Sequence, residues 1–174
     1  HWATFLGGVA LMILTCLIAY RSLTLSVILV IPLVLTNFVV LATMTLMDIG
    51  LDVNTLPIIA VGMGVGIDYG IYLMSRIIEE AGADTTLSDV GQAVIRSLRT
   101  TGSAIWLTAV TMVFSVGVWY FLSDLRFQAE MGLLLALIML VNLVGALVLV
   151  PVQVMTFGRR SVVARAAVGG ALAH

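Results

Sequence analysis

The sequence has no lysine and little charge of any kind. Only 10% of its 174 residues are charged, arginine supplies all eight basic side chains, and the formal net charge is −1. A chain of this kind lacks the basic surface that nucleic acid requires, so we expect no nucleic-acid partner. Hydrophobic residues make up 61% of the chain and its mean hydropathy is +1.20, which indicates an integral membrane protein.

Cysteine and histidine are almost absent as well. Cys16 is the sole cysteine, and the only two histidines are the terminal residues His1 and His174. No disulfide framework or thiolate metal cluster can form within such a chain, so we expect no metal and no cofactor. The sequence also contains no nucleophile–base pair, and we therefore expect no enzymatic activity.

Long apolar runs make up most of the sequence. They predict an all-α integral membrane protein whose five spans cover about residues 2–20, 23–47, 55–78, 102–122 and 131–157. Apolar residues at helical spacing over about 86–100 predict an amphipathic helix in the membrane interface, with its apolar side toward the bilayer or the bundle. Thr86 with Asp89 has the spacing of a capping box at its start. Residues 2–157 would form one helical bundle, followed by a tail at 158–174.

The arginines predict the orientation of the bundle. Arg21 follows the first span, three arginines lie between the third and fourth spans, and three more follow the fifth. The opposite side carries Arg126 alone. By the positive-inside rule, the N-terminus would be outside the cytoplasm and the tail inside it.

The third apolar run contains Asp68, the only charged residue deep inside any predicted span. A charged side chain at mid-bilayer costs roughly 2.5–3.5 kcal/mol on insertion scales, so such a residue usually faces the protein interior and serves a function. Burial raises the pKa of a carboxylic acid, which lets it bind and release protons as its surroundings change. Asp68 is therefore a candidate proton-binding site, although a purely structural aspartate is an alternative.

Glycines surround this carboxylate. Gly62, Gly66 and Gly70 recur every four residues and predict a ridge for close helix packing. Asp68 would point to the opposite side, with Gly64 one turn before it as a further packing glycine and Tyr72 one turn after it. Their spacing does not match the G-x-G-x-x-G pattern of a nucleotide-binding loop.

Polar side chains in the later spans are the candidate partners of Asp68. Tyr72 is one of them, and the others lie at a similar predicted depth: Thr108, Thr111, Ser115 and Asn142. The first three share one face of the fourth span. Helix-to-helix hydrogen bonding is the alternative role of such groups.

Several segments resemble the MmpL-like branch of the resistance-nodulation-division (RND) superfamily, which is related to the sterol-sensing-domain proteins. They are residues 64–80, GVGIDYGIYLMSRIIEE; residues 99–105, RTTGSAI; residues 107–111, LTAVT; residues 123–134, SDLRFQAEMGLL; and the pair Val150 and Pro151. The resemblance covers nearly the whole chain in the same order. It implies half of an RND-type transmembrane domain, specifically the C-terminal half.

The resemblance also implies a function. It assigns a proton relay to Asp68 and Tyr69, and it implies proton antiport and efflux of lipids or other hydrophobic or amphiphilic compounds across the bacterial inner membrane. Its implied partners are membrane lipids, the substrate, protons, and the remaining half of the transporter with its periplasmic domains. A second copy of the chain is an alternative partner. Alternative functions are a lipid- or sterol-sensing or scaffold bundle without transport, or a component of protein export similar to SecD/SecF.

Overall fold

The computed structural model describes residues 2–48, 56–82, 84–122 and 126–172. In these ranges the chain forms α-helices and π-helical turns, with no strand. The α-helices are α1 Trp2–Tyr20, α2 Leu23–Leu46, α3 Leu56–Ala81, α4 Val90–Ser97, α5 Ser103–Leu122, α6 Arg126–Val144, α7 Val150–Gln153 and α8 Arg159–Leu172. The π-helical turns are Leu98–Gly102, Gly145–Leu149 and Val154–Gly158.

Four described segments are long and apolar enough to cross a membrane: Leu23–Leu46, Pro57–Ala81, Val90–Leu122 and Gln128–Gly169. Leu6–Tyr20 is a shorter apolar helix. The predicted all-helical membrane architecture is thus confirmed, and the chain is a multi-pass membrane protein. The predicted first residue of the third span, Thr55, lies outside the described residues.

The predicted interfacial helix differs from the observed one. Helix α4 is shorter than predicted and continues through a π-helical turn directly into α5, so the two form one helical rod from Val90 to Leu122. The buried side of α4, which includes Val90 and Val94, belongs to the main core with Ile77 of α3. The bundle therefore covers the part of its apolar face that contains Val90 and Val94, whereas Ile95 is 49% exposed.

The predicted tail is helical over most of its length. Helix α8 continues the rod of α6 and α7 beyond the predicted end of the fifth span at residue 157. Val162 and Ala166, one turn apart, are buried, and Val162 joins the main core. These two buried residues give α8 an apolar side that packs on the bundle, although the helix also carries three arginines. This packing explains why the segment is helical.

The main hydrophobic core joins α3 to α1, α2, α4, α5, α8 and the end of α6. Its largest fully buried side chains include Leu25, Leu73, Met74 and Ile77. A smaller cluster of Val40, Met44, Ile58, Leu134 and Ile138 joins α2, α3 and α6 at the other end of the spans. Helix α3 contributes to both clusters and is the central element of the described fold.

Candidate functional site

The glycine ridge of α3 forms the close contact between α3 and its neighbours. A Cβ atom at Gly62 would clash with the side chain of Ile138, and one at Gly66 would lie 2.5 Å from the Cγ atom of Asn142. At Gly70 a Cβ atom would lie 2.9 Å from Leu29 Cδ2. The ridge therefore packs closely on α6 and α2, and a larger residue on it would require its neighbours to move.

Asn142 is held against this ridge. Its side chain is only 4% exposed, and its Nδ2 atom donates a 2.6 Å hydrogen bond to the carbonyl oxygen of Gly62. The sequence proposed Asn142 as a partner of Asp68, but the structure places it on the ridge side of α3. Successive residues turn by about 100°, so Asp68 lies roughly opposite to Gly66 and its neighbour Asn142.

Asp68 itself lies on an exposed stripe that runs the length of α3. The carboxylate is exposed and makes no hydrogen bond or ion pair with any described residue. Residues at intervals of three or four share its side of the helix and are exposed or half-buried: Pro57, Val61, Gly64, Asp68, Tyr72, Ser75 and Glu79. We call these seven residues the α3 stripe. Asp68 is at its centre, roughly 18–20 Å from either end of the helix.

Gly64 belongs to the stripe and not to the packed ridge. A Cβ atom at this position would meet no described atom within 4 Å. The four glycines that the sequence singled out are thus divided between the two sides of α3: three lie against neighbouring helices, and one leaves the surface beside Asp68 open. Helical spacing alone predicts that Gly64 lies on the side of Asp68, because the two residues are four positions apart.

Tyr69 faces away from the stripe. Its side chain is 5% exposed, and its hydroxyl group lies 3.8 Å from the Sδ atom of Met112 in α5. Tyr72, in contrast, is 64% exposed and lies on the stripe one turn from Asp68. The two tyrosines therefore differ in surroundings. The sequence did not single out Met112, and no local pattern marks it as the neighbour of Tyr69.

The hydroxyl groups of α5 bond to their own helix. Thr108 donates to the Ala104 carbonyl, and Thr111 and Ser115 donate to the carbonyls four residues before them, at 2.8–2.9 Å. All three residues are exposed, and none makes a hydrogen bond to Asp68. Each hydroxyl has one proton, so in this arrangement it can accept a further hydrogen bond but cannot donate one.

The last turns of α3 make polar contacts with the end of α1 and within α3 itself. Tyr20, at the end of α1, shares a 2.8 Å hydrogen bond with Ser75 and donates to the Ile71 carbonyl at 3.2 Å. Arg76 forms ion pairs with Glu79 and Glu80 at 2.9 and 2.7 Å. The contacts of Tyr20 join this end of the helix that carries Asp68 to α1.

The described residues contain no group of three or more histidine, cysteine or acidic side chains that could hold a metal ion. Cys16 is buried in the core. The distinctive polar feature of the site is therefore a single carboxylate on the exposed side of a central, apolar helix.

Comparison with known proteins gives one match. The model of the MMPL family matches residues 3–169, which is nearly the whole chain. No match was found among curated proteins or among solved structures. The match agrees with the resemblance of residues 64–80 and the later segments to the MmpL-like branch of the RND superfamily.

Proposed function

Because this chain belongs to the MMPL family, whose members are RND-type transporters of hydrophobic compounds, we propose that it forms the transmembrane half of an exporter driven by the proton-motive force. The proposed substrates are lipids or other hydrophobic and amphiphilic compounds. The proposed location is the bacterial inner membrane, with the N-terminus in the periplasm and α8 in the cytoplasm. The arginine distribution supports this orientation.

The observation that carries the proposal is the position of Asp68. A carboxylate near mid-span cannot face lipid at low cost, so the α3 stripe needs a covering of protein or a water-filled space. The stripe combines this carboxylate with a small residue, Gly64, which would let a second helix approach closely. We propose that the remaining half of the transporter covers the stripe.

Asp68 would then act as the proton carrier. When the stripe closes on it, desolvation favours the neutral acid; when polar groups or water reach it, the carboxylate is favoured. A proton that crosses the membrane releases about 2.3 kcal/mol per 100 mV, which can bias a bundle between two states. In this proposal Tyr69 links the protonation of Asp68 to α5, because the Tyr69 hydroxyl group contacts Met112 of α5.

The partners of Asp68 in the relay are proposed to come from the stripe and from the covering half. Tyr72 lies one turn from Asp68 on the same side of α3. Protonated Asp68 could donate a hydrogen bond to the α5 hydroxyls only if α5 approaches the stripe in another state of the transporter. These hydroxyls belong to Thr108, Thr111 and Ser115. Asn142 serves to pack the ridge.

The test is transport by the assembled transporter in proteoliposomes under an imposed pH gradient. Asp68→Asn is compared with wild type and Asp68→Glu, and Glu79→Gln is the matched control because it removes a carboxylate from the end of the same stripe. We expect Asp68→Asn to abolish both export and coupled proton flux, Asp68→Glu to retain part of both, and Glu79→Gln to retain nearly all. Unchanged export by Asp68→Asn would refute the relay and make Asp68 a structural residue, whereas absence of export by the wild-type transporter would favour a lipid-sensing or scaffold bundle.

A further inference from the structure

Three of the eight arginines line one cavity at an end of the bundle. The cavity has a volume of about 410 Å³ and lies between the α1–α2 connection and α8. Its polar lining consists of Tyr20, Arg21, Ser22, Arg160, Ser161 and Arg165. None of its described lining residues is acidic, so three positive charges share one space without a described carboxylate beside them.

The arginines around the end of α3 are arranged differently. Arg76 is paired with Glu79 and Glu80, and Arg96 lies 3.9 Å from Glu80. In the cavity, Arg165 uses one donor on the Ala19 carbonyl at 3.1 Å. Arg21 and Arg160 make no side-chain hydrogen bond or ion pair with any described residue. The guanidinium donors of the cavity are therefore largely available for a ligand.

Backbone groups add to the positive character of the cavity. Helix α2 begins beside it without a side-chain cap from Ser22, and its first amides have no partner within the helix. Arg21 has a φ angle of 49°, in the left-handed region that favours glycine or asparagine. An arginine maintained in this conformation is consistent with a function for its side chain.

The surroundings point to a lipid as the occupant. The cavity lies at the ends of α1 and α2, where these apolar helices leave the membrane. A second cavity of about 400 Å³ lies along the same α1–α2 pair and is lined only by apolar side chains, among them Ile13, Val27, Ile31 and Phe38. On α2 this lining begins roughly 7 Å beyond Ser22 and reaches roughly 24 Å, so its first part lies within the depth of one leaflet, about 15 Å, where an acyl chain lies.

We propose that the basic cavity binds the phosphodiester headgroup of an anionic phospholipid, with an acyl chain along the apolar cavity of the α1–α2 pair. Basic pockets between membrane helices bind anionic headgroups in this way. The lipid would join α8 to the α1–α2 connection through Arg160, Arg165 and Arg21. This site is separate from Asp68, and its test does not depend on transport.

The experiment measures lipid binding to the full chain, delipidated in a neutral detergent, by native mass spectrometry. Dioleoylphosphatidylglycerol is the anionic probe and dioleoylphosphatidylcholine, with the same acyl chains, is the neutral one. Free sn-glycerol 3-phosphate is added as a competitor to separate a lipid site from a site for small phosphates. Circular dichroism verifies that each variant is folded.

Arg160→Gln and its neighbour Arg159→Gln form a matched pair. Arg159 does not line the cavity, and its Nε atom donates to the Met155 carbonyl at 2.8 Å. We expect the anionic lipid to bind at least about fivefold more tightly than the neutral one, and Arg160→Gln to weaken its binding about fivefold. Arg159→Gln should leave binding unchanged. If Arg160→Gln does not fold, Arg21→Gln provides the same test.

Three results would overturn the proposal. Equal binding of the two lipids would exclude headgroup recognition. Equal weakening by Arg159→Gln and Arg160→Gln would indicate general surface attraction instead of a site. Displacement of the lipid by glycerol 3-phosphate would identify a site for small phosphates.

Discussion

The side chain of Asn142 donates a 2.6 Å hydrogen bond to the backbone carbonyl of Gly62, a residue 80 positions earlier in the chain. The same amide group occupies the space in which a Cβ atom at Gly66 would lie. One polar side chain of α6 thus bonds to one glycine of the α3 ridge and packs on the next. This relationship sets the distance between the two helices.

The first prediction concerns this contact. Gly66→Ala should destabilise the chain by about 1–3 kcal/mol, because its methyl group overlaps Asn142. Gly64→Ala, two residues earlier in the same helix, is the matched control and should be neutral or slightly stabilising, since nothing lies within 4 Å. The measurement is unfolding of the purified chain in detergent. Equal losses for both variants would contradict the assigned packing.

A double mutant extends this test. Asn142→Ala alone should cost about 1 kcal/mol through the lost hydrogen bond. Combined with Gly66→Ala, this change removes the overlap. The double mutant should therefore lose about 0.5–3 kcal/mol less stability than the sum of the two single losses. Simple additivity would show that the two side chains do not compete for the same space.

Asp68 should contribute little to the stability of the chain. Because it has no described hydrogen-bond or ion-pair partner, we expect Asp68→Asn to change the free energy of unfolding by less than about 0.5 kcal/mol. Thermal unfolding in detergent measures this directly. A large loss would identify Asp68 as a structural residue and would make a transport defect in this variant uninformative about proton carriage.

The α3 stripe should change its surroundings when the transporter assembles. Nitroxide labels at Val61→Cys and Tyr72→Cys, with Cys16 replaced by alanine, should be accessible to dissolved oxygen in the isolated chain. Both residues are more than half exposed there. In the assembled transporter we expect both to be protected, whereas Leu14→Cys on α1 should remain accessible. Electron paramagnetic resonance gives the accessibilities, and unchanged values at all three positions would refute coverage of the stripe.

The start of α4 should be sensitive to acid. Thr86 donates from its hydroxyl at 2.5 Å and from its backbone amide at 3.3 Å to Asp89 Oδ2, and these bonds lower the pKa of Asp89 from its ordinary value of 3.8. A lowered pKa in the folded state adds stability above the unfolded pKa. That stability is lost as the pH falls through the folded pKa.

The measurement for this prediction is amide hydrogen exchange at the start of α4 between pH 6 and pH 2. Protection of these amides should decrease toward the acid end, after correction for intrinsic rates. In Asp89→Asn this pH dependence should be absent. An identical pH profile in the variant would show that another group controls the start of α4.

The extent to which the sequence predicted the site differs from residue to residue. It predicted the packing side of α3, because small residues at four-residue spacing define a ridge whatever lies against it. It could not assign Asn142 to that ridge or Met112 to Tyr69, because both contacts join residues that are far apart in the chain. It did not predict that the helix continues beyond residue 157, because the two buried residues of α8 lie among three arginines and form no apolar run.

Composition and periodicity alone determined that this is an all-helical membrane protein with one carboxylate inside an apolar helix, because the cost of polar groups in lipid allows few other arrangements. The family resemblance was also present in the local motifs. Only the tertiary structure decided which distant residues pack on the ridge of α3 and which arginines share a cavity. These outcomes depend on how distant helices are positioned against one another, and that information is not contained in any single segment.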